Sequence, residues 1–197
     1  MENEPKIYSS VNKQIIIIIL LMILIFGSLF AIYNFLPPQN NNDFLSKSDS
    51  RLELQSSVFV KNGYLPPKYT CDGTNVNPSL EILHVPPEAK SLVLIMEDLD
   101  ASVSDFTNWL MWNISPETKI INEGVMPTGA IAGKNDWGEN KYNGPCPSAG
   151  THHYSFKLYA VDFVFDKMSP NTNKEKILTL LTGHILGKAE MTGLYGR

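Results

Sequence analysis

Residues 133–162 read GKNDWGENKYNGPCPSAGTHHYSFKLYAVD, a loop dense in Gly, Pro and Asn that runs straight into an alternating pattern. In Gly144-Pro145-Cys146-Pro147-Ser148-Ala149-Gly150 the prolines fix φ and remove N–H donors, while the glycines permit close backbone approach. The loop is therefore stiff without being helix or strand. From His152 the period is two: His152, Tyr154, Phe156, Leu158 and Ala160 share one face, and His153, Ser155, Lys157, Tyr159 and Val161 share the other. A stiff loop thus delivers a His and a Tyr side by side at a strand start, which is the arrangement of a ligand site. The ordinary alternative is a strand end whose His152 and Tyr154 bond only to backbone.

The rest of the folded part reads as β as well. Residues 91–96, SLVLIM, are apolar enough for a buried central strand, which ends in Glu97-Asp98-Leu99-Asp100. Alternation puts Asp98 and Asp100 on one side, facing a cleft; the alternative is a turn in which both accept backbone N–H groups. Residues 108–114, NWLMWNI, form a further aromatic strand, and Leu52, Leu54, Val58 and Val60 are spaced for another, with an irregularity at Ser56-Ser57. Residues 65–78 are a long loop punctuated by Pro and Gly. Only residues 172–182 carry a helical period, opened by a capping box on Thr172 and Glu175 and closed at Gly183. The expected fold is mainly β, two antiparallel sheets with a C-terminal helix.

At 197 residues the chain has room for one domain and little more. Residues 15–33, IIIIILLMILIFGSLFAIY, contain no charge and are long enough to cross a hydrocarbon core of ~30 Å at ~1.5 Å per residue. A signal peptide would have a shorter apolar run and a small-x-small site, whereas Leu29 stands at the third position back from a cut after Ala31. The organisation is thus a tail (1–14), an uncleaved transmembrane helix (15–33), a polar linker (34–50) and a domain (51–197). Lys6 and Lys13 precede the span while Lys47 and Arg51 lie well beyond it, which places the domain on the periplasmic or extracellular side of a single-pass membrane protein. There the only two cysteines, Cys71 and Cys146, fit either a disulfide or two plain buried thiols. A net charge of −4 without Lys/Arg clusters argues against nucleic acid as a partner.

Gly133-Lys134-Asn135-Asp136-Trp137-Gly138, Tyr142-Asn143-Gly144-Pro145-Cys146-Pro147 and Gly150-Thr151-His152-His153-Tyr154 resemble the signature of the phosphatidylethanolamine-binding protein family, in particular its bacterial and archaeal, Raf-kinase-inhibitor-like branch. Residues 67–73, PKYTCDG, and the ending from Thr182 to Arg197 resemble the same branch, so the likeness covers residues 51–197. Where that branch has a Ser-Pro pair, Asn77-Pro78 stands here. The resemblance implies a pocket in which two aspartates line an anion and headgroup site. The matching run is Asp98-Leu99-Asp100-Ala101-Ser102, with both carboxylates kept and both family prolines lost. The family's His-Trp-Leu-x-x-Asn-Ile element becomes Asn108-Trp109-Leu110-Met111-Trp112-Asn113-Ile114, so one imidazole is replaced by a neutral amide.

The implied site is Asp98, Asp100, Asn108, Gly144, His152 and Tyr154. Its implied ligand is a small phosphate-containing or zwitterionic headgroup, with loop N–H groups and His152 meeting the anion and the aspartates meeting an amine. The sequence has no HExxH motif, no G-x-S-x-G elbow and no P-loop, and no βαβ unit surrounds GKNDWG, so neither catalysis, a metal nor a cofactor is expected. The alternative function is inhibition of a protease or kinase through protein contacts, as relatives do.

Overall fold

Residues 91–98 are buried at every position, and the strand they form, β3 (Ser91–Asp98), is apolar on both sides as far as Met96. A strand of that kind belongs between two other layers. In the computed structural model, which describes Ile15, Leu21, Met22, residues 51–102 and residues 105–197, β3 is the middle strand of a sheet. The other strands are β1 (Glu53–Gln55), β2 (Leu80–Leu83), β4 (Phe106–Ile114), β5 (Ile120–Ile121), β6 (Ile131–Ala132), β7 (Thr151–Val161) and β8 (Ile185–Gly196), joined in this domain by an α-helix, α1 (Lys174–Leu181). The large sheet runs β6-β4-β3-β7-β8 and the small one β1-β2-β5, every pairing antiparallel.

The two faces of the large sheet are covered differently. Leu92, Leu94, Met96, Trp109, Met111, Phe156 and Leu158 pack with Leu54, Leu80, Ile82 and Ile121 of the small sheet. Val93, Ile95, Leu110, Trp112, Tyr159 and Val161 pack with Phe165 and with Ile177 and Leu181 of the helix. Each such side chain, fully buried, contributes about 1.5–3 kcal/mol.

Three sequence expectations change. The strand read through Leu52 to Val60 stops at Gln55, because Ser56 Oγ donates to Ser79 O at 2.7 Å and accepts the Val58 N–H at 3.3 Å, turning the chain. Val60 is exposed and Phe59 is buried in its stead. The helix cap lies one residue later than Thr172: Asn173 caps, its side chain accepting the Lys176 N–H at 3.2 Å. That frame lets Lys174 bond Glu97 Oε1 at 2.6 Å and Asp105 O at 2.5 Å. Finally, a long strand follows the helix. The helix ends at Leu181 with Thr182 as its cap, Gly183 reverses the chain at φ +83°, and β8 then pairs along the whole of β7.

Among the described residues no helix is long and apolar enough to cross a membrane. The expected tail 1–14, span 15–33 and linker 34–50 lie outside the described residues, apart from Ile15, Leu21 and Met22. The described residues from 51 to 197 form one compact unit.

Candidate functional site

The register of β3 and β4 creates the site. Met96 pairs with Trp109 and Glu97 with Thr107, so Asn108 is the extra residue of a β-bulge. A bulge breaks the ladder and re-aims its side chain. The freed Asn108 carbonyl accepts the Asn143 N–H at 3.1 Å and Asn135 Nδ2 at 3.3 Å. Asn108 Nδ2 donates to Asn143 O at 2.9 Å and Gly144 O at 3.4 Å. Its Oδ1 is buried without a partner among the described residues. The bulge therefore clamps the strand to the 143–144 loop.

Asp98 closes β3 opposite the bulge. Both of its oxygens lie 2.9–3.0 Å from His152 Nδ1. With the carboxylate ionised, Nδ1 carries the proton and Nε2 is the ring atom left for a ligand. Asp98 Oδ1 also accepts the Asp100 N–H at 3.0 Å, so the turn and the cleft-facing pair coexist at one residue. Asp100 does not join it. The strand ends at Asp98, the chain turns, and the Asp100 carboxylate accepts the His153 N–H at 2.6 Å and meets His153 Nδ1 at 2.8 Å. These bonds, the backbone one foremost, hold the Asp100 carboxyl below its ordinary range. The alternation that would seat the two aspartates together fails because the strand stops between them.

Tyr154 faces Asp98 across the ladder and lies fully buried, its ring 6.4 Å from that of His152 and inclined by 22°. Its hydroxyl finds no partner at hydrogen-bonding geometry among the described residues. Burial, and then the neighbouring Asp98 carboxylate, push the phenol above its ordinary range, so it stays a neutral donor. Gly144 serves the packing of the loops, because a Cβ there would lie 2.2 Å from Tyr69 O, and its N–H is taken by Asn75 Oδ1 at 2.8 Å. That N–H is not offered to an anion, contrary to the expectation from the loop sequence.

Asp98, Asn108 and His152 line one cavity of about 200 Å³, together with Phe106, Trp137 and Ser148. Gly144 lines a neighbouring cavity of about 210 Å³, which shares Trp137 and Cys146 with the first. Tyr154 and Asp100 do not line the first cavity. Phe106 and Trp137 were missed by residue-type reasoning. They meet edge to face, 5.4 Å apart, and Trp137 remains 51% exposed, a feature that only its place in the GKNDWG loop hinted at. A larger cavity, about 350 Å³ beside Trp109 and Tyr142, has Lys141 in its wall but, among the described residues, no carboxylate or imidazole. Among the described residues no group of three or more His, Cys, Asp or Glu side chains is arranged for a metal ion.

The loops around the site are tied covalently. Cys71 and Cys146, 75 residues apart, form a disulfide with Cα atoms 5.4 Å apart, and the Cys71 N–H donates to Pro145 O at 3.1 Å. The adjacent Asp72 accepts Tyr195 OH at 2.5 Å and pairs with Arg197. The Arg197 guanidinium and the Tyr195 hydroxyl lower the Asp72 carboxyl to about 2. On the far face of the sheet, Glu97 holds both Lys157 at 2.5 Å and Lys174 at 2.6 Å, anchoring the end of β3 to the helix.

Comparison with known proteins agrees with this architecture. The family model described as phosphatidylethanolamine-binding protein matches residues 55–196. A UPF0098 protein of Methanothermobacter thermautotrophicus is 43% identical over 151 residues, covering 74% of this chain and 99% of the relative. A UPF0098 protein of Pyrococcus horikoshii is 42% identical, covering 72% and 75%. A phosphatidylethanolamine-binding protein homolog from Chlamydia trachomatis superposes with a TM-score of 0.71 at 37% identity, covering 75% of this chain and 99% of that one. YbcL of E. coli, described as a member of the mammalian PEBP family, superposes with a TM-score of 0.70 at 26% identity over the same shares. With two antiparallel sheets and a helix in its folded domain, the chain belongs to the phosphatidylethanolamine-binding protein family.

Proposed function

We propose that this chain is a membrane-anchored, non-catalytic binding protein for a small phosphate-containing or zwitterionic headgroup ligand, with its domain on the periplasmic or extracellular side. The observation that carries the reading is the Asp98–His152 pair, 2.9 Å apart in the wall of a cavity of about 200 Å³. A carboxylate and an imidazole in a small cleft suit a ligand of two opposite charges, because each ligand charge meets a partner as it loses water. Protonated His152 offers Nε2–H to an anion while Asp98 accepts from an amine.

The test is calorimetry of the detergent-solubilised full chain with phosphoethanolamine and with inorganic phosphate. The expected result is heat of binding without product. Release of a hydrolysis product would make the chain an enzyme. Silence toward both ligands would overturn the headgroup reading in favour of protease or kinase inhibition through surface contacts. Protease added to intact cells should remove the domain; protection would reverse the proposed topology.

A further inference from the structure

The large sheet ends on β8, and only part of that edge is covered. Near Gly196 the outer side of β8 is paired: the Asn62 N–H donates to Thr192 O at 2.7 Å, the Leu194 N–H donates to Gly63 O at 2.8 Å, and Leu194 O accepts the Leu65 N–H at 2.8 Å. The backbone groups that point outward thus belong to even-numbered residues, while those of odd-numbered residues turn toward β7. The register with β7 is unbroken from Gly187 to Gly196, so the same alternation turns the N–H and C=O of Lys188 and Glu190 outward. Among the described residues no strand pairs with them there.

An uncovered edge is a template for a further strand, and charge is the usual guard against one. Lys188 and Glu190 are charged, yet they are of opposite sign and two residues apart, so they fit a copy of themselves. Let β8 pair antiparallel with β8 of a second copy about a twofold axis at Ala189. Lys188 then stands opposite the second copy's Glu190, and Glu190 opposite its Lys188. Both pairs are of the hydrogen-bonded kind, because both residues turn their backbone groups outward. Ala189 meets its own counterpart in the closer, non-hydrogen-bonded kind, which a small side chain suits.

The same axis joins the two ends of the edge. At the start of β8 stand Ile185 and Leu186, 46% and 40% exposed; on the turn that bonds Thr192 stand Val60 and Tyr64, 75% and 65% exposed. Leu186 lies as far before Ala189 as Thr192 lies after it, so the axis carries the first apolar pair of each copy to the second apolar pair of the other. An isologous contact requires this kind of self-complementarity. None of these residues lines the cavity of Asp98 and His152.

We infer that β8 is an interface between two copies of this chain: their β8 strands pair antiparallel about Ala189 and join two five-stranded sheets into one continuous sheet.

The test is sedimentation of the full chain in density-matched detergent. The wild type should show a protein mass of twice 22.0 kDa. Lys188→Glu sets like charges opposite each other on both sides of the axis and should weaken the dimer about tenfold or more. Lys188→Glu combined with Glu190→Lys exchanges the charges, restores both pairs and should return the affinity of the wild type. In the wild type itself, amide hydrogen exchange at Lys188 and Glu190 should slow as the protein is concentrated, a readout that decides the matter even where a variant does not fold. A monomeric wild type would overturn the inference, as would a dimer that Lys188→Glu leaves as tight as before. Amides at 188 and 190 protected equally at every concentration would overturn it too, by showing that a segment of the same chain covers the edge.

Discussion

Asp98–His152 and Asp100–His153 are two copies of one interaction, built from the same residue types at the same ends of β3 and β7. In the first pair the side chains are 10% and 19% exposed, and the pair lines a cavity; in the second they are 43% and 54% exposed and face water. The difference comes from sidedness. His152 and His153 alternate across β7, and the turn after Asp98 lets each aspartate find the histidine on its own side. Identical chemistry one residue away therefore acquires a different physical meaning: a desolvated pair strengthens when water leaves, whereas an exposed pair is screened and costs side-chain entropy to hold. A ligand can use the first but gains little from the second.

The largest effect that should separate the pairs is removal of the disulfide. Cys146 lines the cavity of the first pair and does not contribute to the second. Replacing Cys71 and Cys146 by Ala should cost about 4 kcal/mol through the loop the bond closes, read by denaturant unfolding. The His152 resonances should shift in NMR spectra while those of His153 stay in place. Equal shifts in both would show that the pairs are not independent.

Next comes Asp98→Ala, which leaves the largely buried His152 ring and the Asp100 N–H without their acceptor. The expected loss is about 3 kcal/mol of stability together with binding of the headgroup probe. A stability change no larger than that of Asp100→Ala would erase the distinction between the pairs. Asp100→Ala itself should cost about 1 kcal/mol or less, less still in high salt, with ligand affinity unchanged. A lost affinity would put Asp100 back in the site.

The smallest effect is a pH dependence. His153 lowers the Asp100 carboxyl in the folded state, so the contribution of Asp100 is fully present above the ordinary carboxylate value of about 4 and is lost as pH falls through the lower, folded value. The stability difference between wild type and Asp100→Asn should accordingly be constant near neutrality and shrink in acid. A difference that grew as the pH fell would mean that the carboxyl is raised on folding.

Parts of the fold were legible because short-range periodicity reports burial directly. The alternation from His152 to Val161 is β7, and the apolar run 91–96 is the centre of β3. Helix α1 was legible too, but its cap moved by one residue because a tertiary contact, Lys174 to Glu97, chose the frame. β8 was less visible. Its buried residues Ala189, Met191, Gly193 and Tyr195 alternate, yet the glycines and the small Ala carry little strand preference, so pairing with β7 is what holds it extended. For the site, the family resemblance implied six residues, of which Asp98, Asn108 and His152 line the cavity, whereas Asp100 and the fully buried Tyr154 do not line it and Gly144 lines its neighbour.

By itself, then, the sequence determined which segments alternate, which are buried, where the stiff loop lies and which chemical groups are on offer, because these depend on neighbours within a few residues. Only the tertiary structure decided that Asn108 is the bulged residue, that its amide turns Oδ1 away from the 143–144 carbonyls, and that one Asp–His pair faces a cavity while its twin faces water. Register shifts and the sides of a sheet are properties of paired strands. No single strand's sequence contains its partner's register, and a slip of one residue exchanges every inside side chain for an outside one.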